Sequence, residues 1–155
     1  MCSMLSENDI ELLAAAQAFE LAARDIYASA VSRKSTSDEE TGLLLLIHSH
    51  HVAYEQTLNG VLSKRAATGR NGDVYTKFFA QLSDSSKLWS TLLELENTAI
   101  ATHTAIIEKL SSAKRAALLA SITVVEARHA AMLATRISTS LDLALENPVQ
   151  SVVSQ

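Results

Sequence analysis

The sequence predicts an all-α fold: an antiparallel four-helix bundle in which one long crossover joins the second helix to the third. Three observations carry that expectation. Chain-breaking residues are scarce, with four Gly and one Pro in 155 residues of which 48% are hydrophobic, whereas strand-and-turn folds are punctuated by both. Apolar residues recur at spacings of three and four over four separate stretches, the mark of one buried helical face. The connections are also unequal. About five residues follow the first stretch and about two the third, which makes helical hairpins, while about 24 residues in the middle are enough to travel the length of a bundle. A chain of this length builds one core, so residues 1–155 are expected to form a single domain, with the bundle over about 7–139 and a short tail over 140–155.

Ser6 and Asp9 have capping-box spacing, with Asp in the place of the usual Glu or Gln, and open the first helix. Its stripe runs through Leu12, Leu13, Ala16, Phe19, Ala23, Ile26, Tyr27 and Ala30, with Glu20 inside it. The pattern lapses over 32–36, and Ser37 with Glu40 forms a second capping box. The second helix carries Leu44, Ile47, His48, His51, Tyr54, Glu55 and Leu58 on one face and is expected to end near Gly60, a natural left-handed terminator. In the long connection, Val74, Phe78, Phe79 and Leu82 could form two helical turns. Asp84 is the expected cap of the third helix, whose face holds Trp89, Leu92, Leu93, Glu96, Ala99, Ile100, His103, Ile106, Ile107 and Leu110. Ser111 and Ser112 break it, and a fourth helix follows from Ala113 through Leu118, Leu119, Ile122, Val125, Glu126, His129, Met132, Leu133 and Ile137.

Composition excludes several functions. A net charge of -4 with no run of Lys or Arg argues against a nucleic-acid partner. A single cysteine, Cys2, cannot form an internal disulfide, and no basic start followed by an apolar run marks a secretory signal, so a cytoplasmic location is the expectation. The longest uninterrupted apolar run, Leu43 to Ile47, falls far short of the roughly 20 residues of a membrane span, so no membrane partner is expected. There is no Gly-rich phosphate loop and no nucleophile elbow, which leaves hydrolase and transferase chemistry without support. The leucine run at 43–46 cannot all face one interior, and homodimerisation through its outer side is expected.

The polar residues that interrupt the apolar stripes share a depth. With helices over 7–32, 38–59, 85–110 and 113–139, Glu20, His48 with His51, Glu96, and Glu126 with His129 all lie near the helix midpoints. Charge in an apolar interior must be paired, ligated or neutralised. A metal gives such a layer a physical reason, because iron and manganese take mixed carboxylate and imidazole ligands supplied by facing helices. Single His103 is best read as a hydrogen-bonded core residue or a group behind the ligands, and His50, off the stripe, as solvated. Tyr27 and Tyr54 read as packed aromatics with a hydrogen-bonded hydroxyl, the alternative being electron transfer beside a metal.

Four segments resemble, helix by helix, the bacterial ferritin-like domain proteins of the ferritin superfamily: FELAARDIY at 19–27, HSHHVAYEQTL at 48–58, LELENTAIATH at 93–103 and VEARHAAML at 125–133. The resemblance implies a ferritin-like bundle over about 8–138, with metal ligands at Glu20, His51, Glu96, Glu126 and His129, and a di-iron or di-manganese centre reacting with dioxygen or peroxide. His48 stands where many relatives have a second bridging Glu. Three carboxylates and three neutral imidazoles around two divalent ions leave a formal charge of +1, so a second hard ion should bind less well, and imidazole also suits zinc, copper or a single iron. Glu55, one turn beyond His51, could restore a carboxylate only by reaching back. The six candidate ligands are therefore Glu20, His48, His51, Glu96, Glu126 and His129, for one or two ions of iron, with manganese or zinc as alternatives. The competing expectation is a metal-free network of Glu and His hydrogen bonds in a helical scaffold without enzymatic activity.

Overall fold

The computed structural model describes residues 5–137, 140, 142 and 145–153. Five α-helices make up its framework: α1 (Glu7–Ser32), α2 (Asp38–Leu62), α3 (Gly72–Gln81), α4 (Leu88–Ile107) and α5 (Ala113–Ala134). There is no strand among the described residues. The four long helices are those expected, and the apolar pattern in the crossover forms the short helix α3.

Three contacts fix the topology. Glu7 at the start of α1 pairs with Arg65 just beyond α2, so these two helices run antiparallel. Asp9 meets Ser111 and Ser112 between α4 and α5, which sets the end of α4 beside the start of α1. Arg136, after α5, approaches Glu39 and Glu40 at the start of α2. The chain therefore leaves α2 at one end of the bundle and enters α4 at the other, and residues 63–87 cross its full length. The crossover is tied to α1 on the way: Ala67 N donates to Gln17 Oε1 at 2.8 Å, Asn71 N to Ala18 O at 2.8 Å, and Arg70 pairs with Asp25 at 2.6 Å. α3 then buries Val74 and Phe78 in the same cluster as Phe19, Ile26 and Leu92.

Local chemistry sets the ends. Ser37 and Glu40 cap each other's backbone N–H, a complete capping box. At α1 the box is only half formed. Ser6 Oγ accepts from Asp9 N at 3.1 Å, but the Asp9 carboxylate turns away and accepts instead from Ser111 N, Ser111 Oγ and Ser112 N at 2.9, 2.9 and 3.0 Å. It thereby supplies the start of α5 with an acceptor that the Ser112 side chain does not provide. α2 continues through Gly60 to Leu62, and the positive φ that ends it, 53°, belongs to Ser63. Asp84 caps a single 3-10 turn at Ser85–Lys87 rather than α4 itself.

Two apolar clusters fill the bundle, one around Phe19, Ile26, Leu44, Ile47, Leu92 and Leu133, the other around Leu13, Leu58, Ile106, Leu119 and Ile122. The polar layer lies between them. By length and composition α5 is apolar enough to cross a membrane, but it packs along α4 and turns Glu126 and His129 into the bundle interior. Of the leucine run, Leu44 is buried, while Leu45 and Leu46 are each about half exposed. Beyond α5, the described tail residues run along α4, with Asn147 Nδ2 donating to Asn97 O and Val152 N to Thr102 Oγ1.

Candidate metal centre

Glu20, His51, Glu96 and Glu126 are fully buried and His129 is nearly so. Each comes from a different helix except the last two, which are three residues apart on α5 and so share a face. Burial forces these groups to satisfy one another. His51 is the hub: its Nδ1 lies 2.8 Å from Glu20 Oε2 and its Nε2 3.1 Å from Glu96 Oε1. Glu96 also accepts the Tyr27 hydroxyl at 2.6 Å on Oε1, and its Oε2 lies 3.3 Å from His129 Nδ1.

The residues fall on two levels, one on each side of the His51 ring. Glu20, His103 and Glu126 form one: His103 Nδ1 is 3.0 Å from Glu126 Oε2, and its Nε2 is 3.4 Å from Glu20 Oε1. Tyr27, Glu96 and His129 form the other. Helix geometry accounts for the pairing. Tyr27 is seven residues beyond Glu20, His103 seven beyond Glu96, and α1 and α4 run in opposite directions, so two turns on one helix match two on the other. Ligand atoms of Glu20, His51 and Glu126 lie within 4.8 Å of one another, as do those of His51, Glu96 and His129, so two groups that could hold a cation share one imidazole.

The electrostatics follow from this order. Burial opposes a charge on His51, but Glu96 and Glu20 on either side overcome it and raise its pKa well above the usual histidine value. Burial likewise opposes ionisation of Glu96, yet the His51 charge and hydrogen bonds from His129 and His51 hold it at about 2. Glu20 is also held below the ordinary carboxylate value, because His51 and His103 outweigh its burial. Glu126 is the exception. Burial, with Glu20 and Glu96 as neighbouring anions, pushes it up to about 7 in spite of His103. His103 itself is raised, its burial being outweighed by Glu126 and Glu20.

Five of the six residues singled out in the sequence are therefore brought together, and His48 is not. It lies partly exposed, outside both groups. Glu55 does not replace it, because its carboxylate receives Arg24 Nη1 at 3.3 Å. Two histidines have larger parts than their sequence context implied. His103 is completely buried inside the layer, a position legible from its place on the Glu96 stripe. His50 is not simply solvated: its Nδ1 lies 2.8 Å from His129 Nε2, with the rings stacked at 5.1 Å. Nothing in the stripe of α2 announces this, because His50 is one residue, about 100°, around the helix from His51.

Three polar side-chain atoms in the layer are buried without a well-formed hydrogen bond: Glu20 Oε1 and His103 Nε2, which only face each other at 3.4 Å, and Glu126 Oε1, whose carboxyl group lies against that of Glu20. Each orphaned buried atom costs free energy, and carboxylate oxygens beside an imidazole nitrogen are the donors that a divalent cation takes. The residues present thus fit a metal. No curated protein and no solved structure gave a match. The model of the ferritin-like domain family matches residues 8–139, a span that takes in all the residues of the layer, and the chain belongs to the ferritin-like domain family.

Proposed function

We propose that the protein is a ferritin-like metalloprotein that holds one or two divalent ions, iron or manganese, and supports redox chemistry with dioxygen or peroxide. The observation that carries this reading is the set of buried atoms without a well-formed hydrogen bond, Glu20 Oε1, His103 Nε2 and Glu126 Oε1. Glu20, His51, Glu96, Glu126 and His129 would hold the metal, which supplies the electron exchange with oxygen that none of these side chains offers. The protein's own groups prepare the site. Glu96 fixes the orientation of His51 and is itself held by Tyr27 and His129, the carboxylate support that keeps a ligating imidazole in one tautomer. The apolar clusters on both sides keep water from the layer. Elemental analysis of protein purified without chelator, followed by anaerobic Fe(II) titration, tests the reading: one or more equivalents are expected, and less than about 0.2 equivalents per chain would overturn it.

A second reading draws on the hydrogen bonds that already satisfy both nitrogens of His51. In it the layer is a metal-free network and the bundle a scaffold without chemistry. Replacing Glu126 and His129 together by apolar residues of similar volume then leaves the fold intact or more stable, whereas a requirement of metal for folding rules the scaffold out. The half-exposed Leu45 and Leu46 favour assembly as a homodimer.

A further inference from the structure

We infer that His103 is a direct metal ligand in this protein, completing with Glu20, His51 and Glu126 a two-carboxylate, two-imidazole site for one divalent cation. The inference rests on the metal-binding reading and changes which residues make the site.

The geometry is specific. His103 Nδ1 faces Glu126 Oε2 at 3.0 Å, while its Nε2 makes no hydrogen bond and has only the distant Glu20 Oε1 before it. A ligating histidine has this form: one ring N–H donates to a carboxylate and the other nitrogen is left for the ion. His51 is likewise held by Glu96 through Nε2, and its Nδ1 faces Glu20 Oε2 at 2.8 Å, a contact that an ion between the two would replace. The unpartnered oxygens of Glu20 and Glu126 are on the same level as His103 Nε2, which lies 3.4 Å from Glu20 Oε1. Phe19 meets the His103 ring edge-on at 5.9 Å and helps hold its plane.

Charge supports the same four residues. Two carboxylates balance one divalent ion, and two neutral imidazoles add none, so the cation could enter the apolar interior without leaving net charge. Glu96 is outside the set and has its own partners in Tyr27, His51 and His129. The site thus makes up for the missing helix-two carboxylate with an imidazole from α4, His103 being completely buried where His48 is partly exposed.

Co(II) titration of chelator-treated full-length protein tests this, read by calorimetry, by the ligand-field absorption bands and by the paramagnetically shifted imidazole N–H resonances. Wild type is expected to bind about one equivalent with two shifted imidazole resonances. His103→Ala should weaken binding by at least about tenfold, change the band pattern and remove one resonance, while His48→Ala leaves all three unchanged. Unaltered affinity and spectrum in H103A, or loss of binding in H48A, would overturn the inference. If H103A does not fold, an anomalous difference map of cobalt-soaked wild-type crystals decides: an ion at about 2.1 Å from His103 Nε2 supports it, and an ion out of reach of His103 defeats it. Wild type that takes up no metal would defeat the functional proposal itself, whereas metal bound away from His103 defeats this assignment alone.

Discussion

The hydroxyl of Tyr27 donates to Glu96 Oε1 at 2.6 Å, and both residues are completely buried. This bond joins α1 to α4 across the bundle centre, where Tyr27 neutralises part of a carboxylate that water cannot reach. Burial and the Glu96 charge in turn raise the phenol's pKa, so it stays protonated and able to donate. Tyr27→Phe keeps the ring, which stacks on His51 at 5.2 Å, and removes only the donor. A loss of about 1.5–3 kcal/mol is expected from urea unfolding of the metal-free protein, the range for a hydrogen bond to a charged group.

Asp9 is the counterpart at the end of the bundle. Its three hydrogen bonds to Ser111 and Ser112 hold the α4–α5 corner against the first turn of α1. Asp9→Ala leaves two backbone N–H groups of a helix start without their acceptor and should cost about 2–3 kcal/mol by the same unfolding measurement. Glu7→Ala, which removes only an exposed pair with Arg65, should change stability by much less.

Stability of the metal-free protein should fall toward both acid and alkali. Glu20 and Glu96 are depressed, so the stability they add is present above the ordinary carboxylate value of 4.5 and is lost as pH falls below it. His51 and His103 are raised, so their contribution is complete below the ordinary value of 6.5 and is lost as pH rises through their folded values. Glu126, raised to about 7, adds to the alkaline loss, because its proton favours the folded state up to that pH. The melting temperature should peak at about pH 5–6 and fall on both sides. A melting temperature that rises steadily from pH 5 to pH 8 would contradict the charge order of the layer.

Metal should reverse part of that alkaline loss by taking the place of protons. At a free Fe(II) or Mn(II) concentration near 100 times Kd, binding adds about 2.7 kcal/mol, or roughly 5–10 °C in Tm for a chain of this size. Chelation should remove the gain. Glu126→Gln keeps an acceptor for His103 and the shape of the side chain but not the negative charge. It should fold with a Tm close to wild type in chelator at pH 7 and show little or no metal-dependent increase, as checked by scanning fluorimetry.

The outer side of α2 bears on assembly. Leu45 and Leu46 are exposed, whereas Leu44 between Leu43 and Leu45 is buried. Light scattering at micromolar concentration should give the mass of a dimer for wild type and of a monomer for the Leu45→Glu, Leu46→Glu double variant, with unchanged helical circular dichroism. A monomeric wild type would remove the dimer from the functional reading.

Helices and topology were legible because their signals are local. Apolar spacing, Ser37 with Glu40, and short against long connections each act within a few residues. Errors arose where a local signal had a distant competitor. Asp9 has the spacing of a capping box, but Ser111 and Ser112, some hundred residues away, offer its carboxylate three donors and win it. Gly60 is a natural terminator, yet α2 runs on to bury Leu62 with Leu13 and Leu58.

Sequence alone placed Glu20, His48, His51, Glu96, Glu126 and His129 at one depth, since each sits near the middle of an apolar stripe, and all but His48 are brought together there. Only tertiary structure decided how that depth divides into two levels, that His103 meets Glu126 and Glu20 there, that His50 meets His129, that His48 stays outside both groups, and that Glu55 pairs with Arg24. The reason is rotational. Periodicity gives a residue's height along a helix and its face to within a broad arc, but which neighbour a side chain meets depends on how the helices are turned and staggered against one another, and a stagger of two turns pairs Glu20 with His103 and Tyr27 with Glu96.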